Sequence, residues 1–177
     1  MEYPKEENGM QSQKRIPLNL IFDYPVQWSK YKVLRDLIQN FYDSVGYQHW
    51  KTDFQCEVKD ERITLQALQV GFSYEWLIHI GSSTKREVSG KYAGFFGEGF
   101  KIASLCALRD YQWQIEMCSQ NWELKVITSP IIVDGKTLLT LSYDVCVHPD
   151  FRQDTILRLY PFLKNDQDIL ESVLLSF

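Results

Sequence analysis

The clearest periodic pattern in the chain runs from Trp28 to Gly46. Apolar side chains recur there at the three- and four-residue spacing of one helix face: Leu34, Leu37, Ile38, Phe41 and Val45. Gly46 follows the last of them, at a position where glycine commonly ends a helix. The pattern predicts a long amphipathic helix with one buried face.

Shorter apolar runs predict strands on both sides of this helix. Ile16–Phe22 precedes it, while Phe54–Val58 and Arg62–Leu68 follow it around a turn at Lys59–Glu61. Further strands are predicted later in the chain: Gln112–Cys118, Trp122–Ser129, Ile131–Val133, Leu138–Val147 and Thr155–Leu159. Asp134-Gly135 is a dipeptide typical of a tight hairpin turn.

Three further helices complete the predicted elements. Ser73 can cap a short helix over Tyr74–Ile80, a second helix covers Gly99–Arg109, and Asp168–Leu175 forms a closing helix. Helices cluster early and antiparallel strands late. This order predicts a two-layer α/β sandwich with a mixed, mostly antiparallel sheet and helices on one face.

Composition narrows the class of protein. The 177 residues suffice for one well-buried domain, predicted over residues 16–177, after a polar segment 1–15 that we expect to be disordered. The net charge of −4 does not support direct binding of nucleic acid. The four single cysteines, and the lack of any apolar signal or membrane-spanning run, favour a cytoplasmic protein with reduced thiols and no membrane contact.

A polar row follows the predicted long helix beside its apolar face. Asp36, Asn40 and Asp43 lie at positions i, i+4 and i+7, and hence on one side of the helix. Such a row can be an ordinary solvated face lying outside the core. An acid, an amide and a second acid in succession can also bind a hydrated Mg²⁺ and orient a water molecule, because Mg²⁺ prefers oxygen ligands and retains much of its water shell.

A glycine-rich loop precedes the second helix, with the sequence Gly94-Phe-Phe-Gly-Glu-Gly-Phe-Lys101. Glycines let backbone N–H groups approach phosphate oxygens and allow positive φ angles. A helix that starts at Gly99 would direct its positive end towards those oxygens. On its residues alone, the loop can also be a plain glycine-rich turn leading into a helix.

Together these segments resemble the nucleotide pocket of the GHKL (Bergerat-fold) ATPases, and are closest in motif to the MutL, MORC and heat-shock-chaperone types. The resemblance implies a Bergerat fold that binds ATP and Mg²⁺. Asn40 would be the metal ligand, Asp36 the general base, and Asp43 part of the base and ribose side. The loop residues implied in nucleotide binding are Gly94, Gly97, Glu98, Gly99, Phe100 and Lys101.

The resemblance extends to the segments between and after these two motifs. Residues from Ser82 to about Phe96 would form a lid on the phosphates, with Lys85 able to neutralise nucleotide charge. Gly71 and Phe72 stand at the end of the adenine-binding motif, and Thr155 stands at the position of its assisting threonine. The aspartate that accepts the adenine amino group in the family is replaced by Ala67, so we expect ATP and GTP to bind with similar affinity.

Three functions remain open at this level. The first is an ATP-binding domain of a Mg²⁺-dependent ATPase that acts as a conformational switch through a protein partner or a homodimer, with slow or no turnover in isolation. The second is a pseudo-ATPase or interaction module that binds another nucleotide or none. The third, a histidine-kinase catalytic domain, is disfavoured by the Asp-Leu-x-x-Asn-x-x-Asp pattern that begins at Asp36.

Overall fold

A computed structural model describes residues 11–79 and 96–177. The chain forms five strands and four α-helices over these residues, with short 3₁₀ turns at Tyr47–His49 and Tyr74–Leu77. The strands are β1 (Ser12–Ile21), β2 (Phe54–Lys59), β3 (Arg62–Ala67), β4 (Gln114–Val133) and β5 (Lys136–Tyr160). The helices are α1 (Lys30–Val45), α2 (Trp50–Asp53), α3 (Glu98–Tyr111) and α4 (Lys164–Leu174).

All five strands belong to one sheet, in which β5 is the central strand. One edge of β5 pairs with β4 along almost its whole length, and the other edge pairs first with β1 and then with β3, which continues to β2. Every pairing in the described part of the chain is antiparallel. This confirms the expected α/β class and mostly antiparallel sheet, while the parallel pairing implied by a mixed sheet does not occur there.

The helices pack against the apolar face of this sheet. In β3 the side chains alternate, so that Ile63, Leu65 and Ala67 are buried while Thr64 and Gln66 are only half-buried. α1 contacts β3, α3 and α4, and α3 contacts β4. The opposite face carries polar groups, among them the ion pair of Arg15 with Asp144 at 2.8 Å. The core therefore lies between one sheet face and the helices.

Local chemistry explains where α1 begins and ends. Ser29 caps the helix by accepting a hydrogen bond from the Lys32 backbone N–H at 3.2 Å. Gly46 ends it with a φ of +83°, a conformation that glycine adopts without the steric cost of a side chain. Leu34, Leu37, Ile38 and Phe41 are fully buried, as the periodic pattern predicts. Val45 is only half-buried, and Val33, which lies outside the predicted set, is fully buried as well.

The structure corrects several predicted boundaries. β1 begins at Ser12, so residues 12–15 belong to a strand and not to a disordered segment, whereas residues 1–10 lie outside the described part. Five predicted late strands form only two, because β4 and β5 pass through register irregularities without ending. α4 begins at Lys164, four residues before the predicted Asp168, because the Asp166 carboxylate accepts from the Leu163 backbone N–H and from the Lys30 ammonium.

Candidate functional site

The acidic helix and the glycine-containing helix meet at Asp36 and Gly99. A Cβ atom placed on Gly99 would lie 2.9 Å from Asp36 Oδ2 and 3.2 Å from Oδ1. A side chain at position 99 would require the carboxylate or the helix to shift, so glycine permits this close approach. The two motifs, which lie far apart in sequence, therefore lie side by side between α1 and α3.

Asn40 lies one turn further along α1 and is buried. Its side chain is 7% exposed, and its Nδ2 has no hydrogen-bond partner among the described residues. This corrects the reading of the row as a solvated face outside the core. Because turning the amide by 180° exchanges its nitrogen and oxygen, the same position can present an oxygen to a cation.

Asp43 differs in its burial from Asp36, which is half-buried, and from Asn40, which is buried. It is exposed, and its carboxylate accepts a hydrogen bond from Gln39 Nε2 at 2.8 Å, four residues earlier on α1. The row of three polar residues therefore divides: Asp36 and Asn40 face the interior between the helices, while Asp43 faces outward.

The start of α3 has the chemistry of an anion site. Gly97 is the N-cap residue, and no side chain from the described ranges 11–79 and 96–177 caps the first-turn N–H groups that follow it. These groups and the helix dipole attract negative charge. The φ of Gly97 is −90°, so the expected positive φ is absent here. Glu98 occupies the first position of the helix and is exposed.

Lys101 lies within the protein and not at the open end of α3. Its side chain is buried, and its ammonium donates a hydrogen bond to the backbone carbonyl of Ile78. Burial lowers the pKa of the Lys101 amine, and the nearby negative charge of Glu98 raises it in part. In this arrangement Lys101 ties the start of α3 to the residue that follows the turn at Tyr74–Leu77.

An aromatic cluster fills the interior between α1, α3 and the sheet. The ring of Phe96, from the glycine loop, is 1% exposed and lies 5.5 Å from Phe41, 5.4 Å from Phe72 and 5.9 Å from Phe100, measured between ring centroids. Phe100 and Phe72 are thus core residues in this structure. The sequence predicts Phe96 only as the end of the lid. Spacing along the chain does not show which aromatic ring the fold will bury.

Ala67 and Thr155 face each other at the end of β3, where the family would bind adenine. They are direct partners in the antiparallel pairing of β3 with β5. Thr155 Oγ1 donates to the Val70 carbonyl at 2.7 Å and is hydrogen-bonded to Ser119 Oγ at 2.9 Å. Thr155 therefore lies beside position 67, and its hydroxyl is already hydrogen-bonded to protein groups.

Gly71 and Phe72 are held by β4, which the sequence did not connect to the site. The Phe72 N–H donates to Ser119 Oγ at 3.2 Å, and the Phe72 carbonyl accepts from Trp122 Nε1 at 2.7 Å. A Cβ on Gly71 would lie 3.3 Å from Gln120 Cγ. Ser119, Gln120 and Trp122 were missed because cross-strand neighbours carry no local signal in the sequence.

The donor set fits a cation that is held mainly by water and phosphate. Asn40 can supply one oxygen, and Mg²⁺ sites of this kind use few protein ligands. The described residues contain no group of three or more His, Cys, Asp or Glu side chains placed to hold a metal by themselves. Lys85 and Gly94, and the lid apart from Phe96, lie outside the described ranges 11–79 and 96–177.

Comparison with known proteins adds no assignment to this geometry. A scan against models of known protein families gave no match, and a search of curated proteins found no relative. Within the described ranges, none of the helices combines the length and the apolar character needed to cross a membrane.

Proposed function

We propose that this chain binds a Mg²⁺-nucleotide through its phosphates, at the junction of α1 and α3, and uses the bound nucleotide as a conformational switch. The observation that carries the proposal is the close approach of the Asp36 carboxylate to Gly99, where a Cβ atom would lie 2.9 Å from Oδ2. Two further features support it: the buried Asn40 amide, whose Nδ2 has no partner among the described residues, and the N-terminus of α3, which no described side chain caps.

Each feature suits a different part of a nucleoside triphosphate. The first-turn amides of α3 attract phosphate oxygens, and Asn40 offers an oxygen to the accompanying cation. Bound Mg²⁺ would supply charge neutralisation of the phosphates. Asp36 is the acid nearest to these amides along α1 and can accept a proton from a water molecule held beside the terminal phosphate.

Turnover in isolation is proposed to be slow or absent. Asp36 is one methylene shorter than the glutamate of the GHKL family, and a displacement of about 1 Å in an attacking group can reduce a rate by roughly 10²-fold. In the family, a lysine from a second domain completes the charge stabilisation at the terminal phosphate. A partner or second domain would supply that lysine and would respond to the nucleotide state of this domain.

Calorimetry with ATP, ADP and GTP, each with and without Mg²⁺, tests the proposal. We expect Mg²⁺-dependent binding of ATP and GTP with similar affinities, because Ala67 provides no acceptor for the adenine amino group. Asp36→Ala should retain binding and lose any hydrolysis. The proposal is wrong if no nucleotide binds, or if hydrolysis persists in Asp36→Ala.

A second function is favoured by one specific observation, the burial of Phe96 among Phe41, Phe72 and Phe100. If Phe96 permanently occupies the space of the nucleotide, the domain is an interaction module that uses the fold without a ligand. Phe96→Leu leaves an apolar side chain but removes the ring. Tighter nucleotide binding in Phe96→Leu than in wild type would mean that the ring competes with the ligand, and binding by neither protein would favour the interaction module.

A further inference from the structure

The strand β4 forms a long free edge of the sheet in the part of the chain that the structure describes. It spans Gln114–Val133 and pairs there with β5 alone. Such an edge presents a row of backbone donors and acceptors that can pair with another strand. Its regular part is bounded on one side by the register irregularities between Ser119 and Trp122, and on the other by Pro130, which has no N–H to donate.

Two opposite charges stand near the middle of this regular part. Glu123 and Lys125 are exposed and lie on the sheet face away from the helices, since the alternate residues Trp122, Leu124 and Val126 are buried in the core. Neither Glu123 nor Lys125 lies within ion-pair distance of an opposite charge among the described residues; Asp144 of β5 stands opposite Lys125 in the strand pairing but is bound to Arg15. Both exposed side chains can therefore meet a strand that adds to this edge.

The order of these charges is self-complementary. In an antiparallel pair of two β4 edges centred on Leu124, Glu123 of each copy lies opposite Lys125 of the other, on the same face of the joined sheet. A shift of the register by two residues in one direction would place Glu123 opposite Glu123, and a shift in the other direction would place Lys125 opposite Lys125. Among these registers of a β4–β4 pair, charge therefore favours the one centred on Leu124, with a second copy of the chain as the occupant.

We propose that β4 is the contact surface of a two-fold homodimer, in which the β4 edges of two copies pair antiparallel about Leu124. The contact is isologous, as expected for a closed dimer. It joins two sheets into one and leaves the junction of α1 and α3 in each copy outside the new strand pair. The inference is independent of the proposed nucleotide site. Because the paired stretch is short and its ion pairs are exposed, the dimer should be weak and should dissociate as salt rises.

Charge reversal gives a direct test by sedimentation equilibrium at low and high salt. In Glu123→Lys, and separately in Lys125→Glu, both cross-strand pairs become repulsive, so we expect the dissociation constant of the dimer to rise about tenfold or more. An equimolar mixture of these two variants restores both pairs across a heterodimer, and so does the double reversal E123K/K125E. Both should associate as strongly as wild type.

Matched controls lie on β2, at the opposite edge of the same sheet. Glu57 and Lys59 are exposed there, so Glu57→Lys and Lys59→Glu make the same changes of net charge without altering β4. They should dimerise like wild type, and circular dichroism should show all variants folded. A monomeric wild type, dimers that resist both single reversals, or equal weakening by the β2 controls would each overturn the proposal.

Discussion

Ala67 of β3 lies directly opposite Thr155 of β5, and neither side chain is more than 1% exposed. Thr155 Oγ1 is hydrogen-bonded to the Val70 carbonyl and to Ser119 Oγ. If the proposed nucleotide site follows the GHKL pattern, this pair stands at its base end, where that family has an aspartate beside a threonine. Position 67 would then offer no acceptor to the base, and the Thr155 hydroxyl would already be engaged by protein groups.

Ala67→Asp tests whether adenine recognition can be restored. The new carboxylate would be buried, so without ligand we expect the free energy of unfolding to fall by about 2 kcal/mol or more. ATP should then raise the melting temperature of the variant more than GTP does. Thr64→Asp adds the same charge to β3 on its half-exposed face and is the matched control. Equal stabilisation of Ala67→Asp by ATP and GTP would contradict an adenine-facing position.

Asn40→Ala separates ligand binding from folding. The Nδ2 atom makes no hydrogen bond to described residues, so the loss in unfolding free energy should be about 1 kcal/mol, while Mg²⁺-dependent nucleotide binding should disappear. Calorimetry and urea unfolding measure the two effects. Arg35→Ala, on the exposed side of α1, should change neither. If Asn40→Ala binds Mg²⁺-ATP like wild type, the role of the amide is wrong.

Gly99→Ala and Asp36→Ala form a double-mutant cycle on the contact between the helices. Alanine is a better helix former than glycine by about 1 kcal/mol, so Gly99→Ala should stabilise the protein once the Asp36 carboxylate has been removed. With Asp36 present, the methyl group meets that carboxylate and the gain should be lost or reversed. Urea unfolding of the four proteins should give a coupling energy of about 1–3 kcal/mol. Additive effects would mean that the two residues do not touch.

Lys101→Met tests the buried amine through pH. Burial, partly offset by Glu98, lowers the pKa of Lys101 in the folded protein, so between this pKa and the ordinary value the unfolded chain binds more protons. The contribution of Lys101 to stability should therefore increase as pH rises through this window. As the pH rises through this window, the free energy of unfolding of wild type should increase relative to that of Lys101→Met. Lys136→Met, at an exposed lysine, should show no such shift.

Local patterns predict the elements of this fold better than the contacts between them. The spacing of Leu34, Leu37 and Phe41 identifies α1, because the residues of one helix face recur every three or four positions along the sequence. The partners of Phe72 and Thr155 on β4 are set by strand register, which depends on the whole sheet. Burial of Phe96 and of Asn40 likewise depends on how α1 packs against α3. This packing cannot be inferred from the sequence around either residue.

β5 is one continuous strand that pairs with segments lying far apart in the sequence. One strand, Lys136–Tyr160, contributes Val145 opposite Leu124 of β4 and Thr155 opposite Ala67 of β3. Backbone hydrogen bonds to β4 on one edge and to β1 and β3 on the other hold this strand, and such doubly paired strands open rarely. A ligand that rigidifies β5 near Thr155 would slow amide hydrogen exchange along the strand, including the part that pairs with the proposed dimer edge. Ligand binding at one region would then be measurable as slower exchange in the other.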